Sequence, residues 1–530
     1  MPTECIPFRE TGYFSNLICD YLDQHERIQP FYHRFPTIEN FQGQIQEKKE
    51  AFSKDYRKVL VDTLLSQYKN IDASNLTQSN IEKLLNTNTF TITTGHQLNL
   101  FTGPLYFLYK IISTINLCEE LKVAYPENDF VPIYWMASED HDFEEISYFN
   151  FKGKKVSWER GFGGAVGELL TEGLEEVFNI FSKELGLGKS ATFLKQLFQD
   201  SYIKHNNLSE ATRYLANELF KDYGLVIVEA NDNSLKQLFA PYVKRELTEE
   251  VSFSEVSKTI AKFPEGIPVQ VNPREINLFY LTEGLRERII KTGTGYEINN
   301  TNIVFTEEEM NAELASYPER FSPNALLRPF YQEVILPNLC YIGGGGELAY
   351  WFELKSTFEN FGVPFPILLL RNSVLLISEQ QHKKMEKLDL SLQDVFLKQQ
   401  ELLVQKTKAL SAITIDFKEQ KNHLENQFKV LHDLAEQTDA SFKGAVAAQE
   451  RKQIKGLEHL EKRLLKAQKR VLSEKLLLIT TLQDQLFPKQ SLQERQMNFS
   501  EFYLEHGQEL VTKLAKELKP LSGEFTCIYL

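Results

Sequence analysis

Between Glu379 and Phe487 the chain contains no proline and only two glycines, Gly444 and Gly456. Lys, Gln, Glu and Leu dominate this stretch, and little in it would interrupt a helix. From Ile454 onward Leu457, Leu464, Val471 and Leu478 recur at every seventh position. Leu460 and Ala467 fill the second seam position, which Glu474 breaks. A seven-residue apolar repeat predicts a coiled coil. Residues 438–444 read as a bend, so the expected form is an antiparallel helical hairpin. A helical arm of about fifty residues would reach ~75 Å at 1.5 Å per residue. Its apolar seam needs a partner helix, supplied by the arm itself or by a second copy. Pro488 ends the arm.

The rest of the chain reads differently. The first 88 residues lean to helix, and the character changes at Thr89. TFTITTG (residues 89–95) is β-branched and ends in Gly95, the pattern of a buried strand. GHQLNLFTGPLY follows, then helix-like residues 105–121 and a second strand over 130–137. Strand, glycine-containing loop, helix and strand make a βαβ unit, which predicts a parallel sheet with a right-handed crossover. Further strands are expected at 224–230, 268–272 (PVQVN) and 365–370, with a helix over 234–249. Residues 334–341 lead into GGGGELAYW and a helix-like 352–360. Three pieces fall outside this pattern: a hairpin around Gly153, a helical stretch over 171–220 and a small β insertion over 279–305.

The expected fold class is therefore α/β: a Rossmann-like parallel-sheet core with two insertions plus a long α-helical coiled-coil arm. In chain order the segments are 1–88 (helical part of the core), 89–146 (core), 147–222 (first insertion), 223–275 (core), 276–320 (second insertion), 321–377 (core), 378–487 (arm) and 488–530 (a tail packing on the core).

Charge and cysteine usage narrow the function. A net charge of −14 gives no global footprint for nucleic acid. Residues 441–475 hold ten Lys or Arg against four Glu. No aromatic residue follows Phe442 there to stack on bases, so a solvated helix face is the reading. Cys5, Cys19, Cys118, Cys340 and Cys527 form no CxxC and suit no zinc site. No metal is assigned. The most apolar stretch, residues 367–377, is interrupted by Arg371 and Asn372 and is too short to span a bilayer. With no secretory leader, a cytoplasmic protein that binds neither membrane nor nucleic acid is expected.

Three places carry candidate chemistry. The loop from Gly95, His96 and Gln97 to Gly103 follows a strand and opens a helix, an arrangement that attracts phosphate or carboxylate. His96 could stabilise transferred charge. Residues 138–145 (SEDHDFEE) put five carboxylates around His141 at the end of the second strand. Ligands of α/β sheets gather at such strand ends, and the cluster suits a metal, an amine or a general base. Gly343, Gly344, Gly345 and Gly346 permit close backbone approach to a ligand, with Glu347 at the following helix start. Arg328 and Arg371 interrupt apolar context, where each needs a carboxylate or phosphate partner.

TTGHQLNLFTGPLYFLYKIIS, VPIYWMASEDHDFEEI, LLRPFYQEVILPNLCYIGGGGELAYW and ERQMNFSEFY together resemble the BshC family of bacillithiol biosynthesis. The resemblance runs from about Phe14 to the C-terminus. Many members carry TGQQ where this chain has Thr94-Gly95-His96-Gln97, and a proline within the later glycine loop. The resemblance implies a Rossmann-like core, two connecting insertions and a coiled-coil dimerisation arm. It implies a ligase that adds L-cysteine to glucosaminyl-malate by amide formation. Carboxylate activation implies ATP or another nucleotide, with ADP as a possible bound form. On this reading Gly95, Gln97, Gly103 and Gly343–Gly346 hold phosphate or the activated carboxylate. Asp140, His141 or Asp142 bind or deprotonate the cysteine amine, His141 foremost, while Glu347, Arg328 and Arg371 bind substrate. The alternatives are a non-catalytic nucleotide-binding scaffold assembled through the arm, and a nucleotidyl transferase.

Overall fold

The computed structural model describes residues 3–161 and 163–530. These form two compact units. The first holds nearly all of the chain up to Leu375 together with residues 491–528, and the second holds residues 376–490 and a few terminal positions.

Five strands make the central sheet of the first unit: β1 (Thr89–His96), β2 (Asp129–Met136), β3 (Val226–Glu229), β4 (Asn338–Gly343) and β5 (Ile367–Leu370). All neighbours run parallel, in the order β5–β4–β1–β2–β3. Every residue of β1 and β4 is buried, so the sheet is covered on both faces. That burial explains why these strands read as continuous apolar or β-branched runs instead of alternating ones. Helix α1 (Tyr106–Ala124) crosses from β1 to β2. Phe90, Ile92, Leu117, Leu121, Ile342 and Ile367 share one core with Phe41 and Ile45 of the helix Ile38–Ala51.

Tyr148–Phe151 and Lys154–Ser157 pair as a hairpin, followed by the helices Leu174–Leu185, Lys189–Tyr202 and Leu208–Phe220. Leu278–Thr282, Leu285–Thr292 and Gly295–Ile298 form an antiparallel meander. Residues 268–272 are a correction, because they form no strand. The N–H groups of Gln270 and Val271 donate to Glu353 Oε1 at 2.7 and 3.4 Å, so a buried carboxylate holds this backbone instead of a ladder. At the chain ends, Thr3–Pro7 pairs antiparallel with Glu524–Tyr529, burying Phe525 and Cys527.

In the second unit the helices Lys418–Ala435 and Ala440–Val471 form the hairpin, turning at Asp439, whose side chain caps the second helix. Lys421 pairs with Glu461 and His432 with Glu450, an antiparallel register. Phe428, Ala435 and Val446 fill the seam near the turn. The helix is interrupted at Leu472, and Leu460, Val471 and Leu478 are exposed, while Leu476, Ile479 and Leu482 are buried instead. No helix among the described residues is long and apolar enough to cross a membrane.

Candidate active site

The strand order places a reversal between β1 and β4: the chain winds outward from β1 through β2 and β3, then returns to continue on the other side through β4 and β5. At such a switch point the loops leaving adjacent strands diverge and open a crevice at the carboxyl edge of the sheet. A cavity of about 630 Å³ lies there, lined by residues from the ends of β1, β2 and β4, from the acidic loop and from the β insertion.

Its floor is a locked charge network. Lys110, on α1, projects back to the end of β1. Its Nζ donates to the Gly95 carbonyl at 2.6 Å and pairs with Glu347 Oε2 at 2.6 Å. Tyr341 Oη donates to Glu347 Oε1 at 2.7 Å and Gly344 N–H donates to Oε2 at 2.7 Å. Burial pushes the Glu347 carboxyl up, but the Lys110 charge and these hydrogen bonds outweigh it and hold the group at about 2. Glu347 is therefore an anion already matched within the protein. His96 lies beside this network, its ring packed against Tyr106 and Phe107 and its Nε2 buried without a partner. Burial, reinforced by the Lys110 charge, pushes its imidazole down to about 3, so the ring is neutral.

The two arginines expected in this region end differently. Arg371 Nη2 donates to Glu494 Oε1 at 2.7 Å, with both side chains almost fully buried, and Nη1 holds the Asn372 carbonyl and Ser373 Oγ. Arg328, on the helix α2 (Leu327–Ile335), lies near the faces of Trp135 and Tyr341, 5.8 and 5.5 Å from the ring centres. Its Nη1 donates to Gln332 Oε1 at 3.1 Å.

The rim comes from the acidic loop. Asp140 accepts from Gln97 Nε2 and from the His141 N–H, each at 2.7 Å. Burial raises its carboxyl, but His141, the charge of Arg286 and Gln97 bring it down to about 2. Arg286, from the β insertion, approaches His141 Nδ1 at 2.6 Å. A guanidinium nitrogen can only donate, so Nδ1 presents its lone pair to Arg286. Glu139 is paired with the buried Lys236 at 2.7 Å. Burial, with the charges of Asp142 and Asp140 adding to it, raises the carboxyl of Glu145.

The structure thus brings Gly95, His96, Gln97, Asp140, His141, Arg328, Gly344, Gly346, Glu347 and Arg371 to one cavity. Asp142, Gly103, Gly343 and Gly345 are not among its lining residues. Asp142 caps the short helix Phe143–Ile146. Gly103 has φ +61°, and a Cβ there would meet Asn99 Cβ at 2.6 Å, so it serves the turn into α1. Gly343 and Gly345 back onto Leu348 and Ile18. Sequence reasoning missed Lys110, Tyr341, Arg286 and Glu494. Lys110 had a readable signal, a lone cation inside the apolar run YFLYKIIS.

Comparison with known proteins assigns the family. Residues 1–372 match the model of the N-terminal Rossmann-like domain of the bacillithiol biosynthesis protein BshC, and residues 374–530 match that of its C-terminal coiled-coil domain. The protein of Flavobacterium johnsoniae named "Putative cysteine ligase BshC" is 58% identical over 528 residues, covering 100% of both chains. The protein of that name from Cytophaga hutchinsonii is 37% identical, over 98% of this chain and 97% of its own. In Chlorobaculum tepidum the figure is 28%, over 88% of each chain. Matched along its whole length in this way, the chain belongs to the BshC family, the cysteine ligases of bacillithiol biosynthesis.

Proposed function

We propose that the switch-point cavity is where L-cysteine is joined to glucosaminyl-malate, the last step of bacillithiol synthesis. The observation that carries this reading is the presence, in one cavity, of the guanidinium groups of Arg286 and Arg328 together with the rim carboxylates of Asp140 and Glu145. Such a site suits reactants that bring both carboxylates and amines. The amide forms when the amine of the amino sugar attacks the activated carboxyl of cysteine. A free carboxylate has no adequate leaving group, so activation by a nucleotide is required, ATP being the first candidate and ADP a product form. Bound there, the nucleotide would supply that leaving group. Gly95, Gln97, Gly344 and Gly346 border the part of the cavity it would use.

The attacking amine must be neutral. Asp140, held at about 2, stays anionic and orients an ammonium group without taking its proton. His141 is the proposed base. Its Nδ1 lone pair is directed at Arg286, so proton acceptance there requires the guanidinium to give way. The His141→Ala variant should lose amide formation measured by thiol-labelled mass spectrometry. Retained activity in a soluble, dimeric variant would remove His141 from the mechanism. In cells, loss of the gene should abolish bacillithiol and accumulate glucosaminyl-malate.

The arm is proposed to join two copies of the chain. Val471, Leu477 and Leu478 remain 74%, 66% and 58% exposed on the second unit, apolar surface that a partner would cover. Sedimentation velocity on the full chain tests this, with a dimer expected.

A further inference from the structure

Among the described residues, five cationic side chains line the cavity; Arg495 is exposed to solvent, and of the other four one account does not balance. Lys110 is matched by Glu347 and Arg371 by Glu494. Arg286 lies in the field of Asp140 and Glu139 and donates to His141, Ser322 and the Pro323 carbonyl. Arg328 has no ion-pair partner among the described residues, and its Nη2 is buried without a hydrogen bond. Gln332, Tyr350 and two aromatic faces are what it touches. These are neutral groups, and the nearest anion, Glu347, acts on Arg328 only through its field and is already paired with Lys110; a buried guanidinium without a paired anion of its own has room for one. Arg328 lines the cavity, and a Cβ at Gly95 would come to 3.3 Å from Tyr341 Oη beside it.

We propose that Arg328 is the counter-ion of a substrate carboxylate, received at Nη2 between the rings of Trp135 and Tyr341. The inference deepens the ligase reading of the cavity and rests on it. A carboxylate fits better than a phosphate, because one unspent guanidinium nitrogen is offered and the neighbouring Gly344 N–H is already taken by Glu347. Two groups in the reaction share this chemistry, the α-carboxylate of cysteine and the malyl carboxylates of the acceptor.

The test is calorimetric binding to the full-length protein, wild type against Arg328→Gln and Arg328→Lys. The probes are L-cysteine and glucosaminyl-malate, each with a partner lacking the carboxylate: cysteamine and methyl α-glucosaminide. Arg328→Gln should weaken one carboxylate ligand at least tenfold and leave its matched probe within twofold. A loss confined to cysteine assigns the α-carboxylate; a loss confined to glucosaminyl-malate assigns the malyl group. If Arg328→Gln does not fold, Arg328→Lys carries the test, since lysine keeps the charge but not Nη2, and a loss of at least fivefold is expected. Carboxylate ligands bound within twofold of wild type overturn the subsite. If the wild type ligates normally in that case, the subsite alone falls. If the wild type neither binds nor joins the two substrates, the ligase reading of this cavity falls with it.

Discussion

The floor and the rim of the cavity carry similar charged groups held in opposite ways. On the floor, Lys110, Glu347, Tyr341 and Gly344 satisfy one another; the Lys110 side chain is 4% exposed, and Glu347, 27% exposed toward the cavity, has both carboxylate oxygens engaged. At the rim, the side chains of His141 and Asp140 are 53% and 30% exposed, and Arg286 reaches them from a different element. A buried network has one arrangement because every alternative strands a charge. A half-solvated one can exchange partners at little cost, since water replaces what is lost. On the proposed reading, the floor fixes geometry while the rim moves protons and admits substrate.

Breaking the floor should have the largest effect. Lys110→Met leaves the Gly95 carbonyl unmet and Glu347 without its cation. Removing one member of a fully buried pair costs about 3–5 kcal/mol; the Glu347 side chain is 27% exposed to the cavity, so urea unfolding of the variant should show a loss below that range. The double variant Lys110→Met/Glu347→Gln removes the stranded charge as well, so it should be more stable than Lys110→Met alone. If the two unfold alike, the floor is not a coupled unit.

Breaking the rim should separate activity from stability. His141→Ala is expected to lower kcat by about 10²–10⁴-fold, the range for a lost general base, while its unfolding midpoint stays near wild type, as for other solvated positions. Arg286→Gln frees the Nδ1 lone pair that the guanidinium occupies, so the variant should keep an activity that His141→Ala still abolishes in the same background. If His141→Ala no longer lowers kcat there, another group accepts the proton.

How much of this could be read in advance follows the same division. The β1–α1–β2 unit was legible because a β-branched run ending in Gly95 is a local signal. The order β5–β4–β1–β2–β3, which creates the crevice, is a long-range property that no local pattern encodes. Arg286 sat in LRERIIKT, an alternation that resembles a solvated strand face, and only the meander brings it to His141. Glu494 lies in the tail, 123 residues after the arginine it neutralises. PVQVN had strand-like alternation, but its N–H groups are claimed by Glu353. The arm was legible as a helical hairpin, while the break at Leu472 between the helices Ala440–Val471 and Ser473–Leu486 has no signal in the seven-residue repeat.

His96 tests where the boundary between floor and rim falls, with the smallest effect. Its folded value is about 3 against an ordinary 6.5. Above about 6.5 neither folded nor unfolded chain binds the proton, and the contribution is complete. As the pH falls from there toward 3, the unfolded chain takes up a proton that the folded chain refuses, so stability declines. Between pH 7 and pH 5 this amounts to about 2 kcal/mol. Glutamine is close to histidine in size and does not titrate, so His96→Gln should fold while lacking this slope. Other groups titrate in the same window, so the quantity to measure is the difference between wild type and variant in stability lost from pH 7 to pH 5. A wild-type excess of that order places His96 with the sealed floor. Equal losses would mean that the folded ring accepts its proton, which requires water to reach Nε2, and His96 would then belong to the groups able to take part in proton transfer.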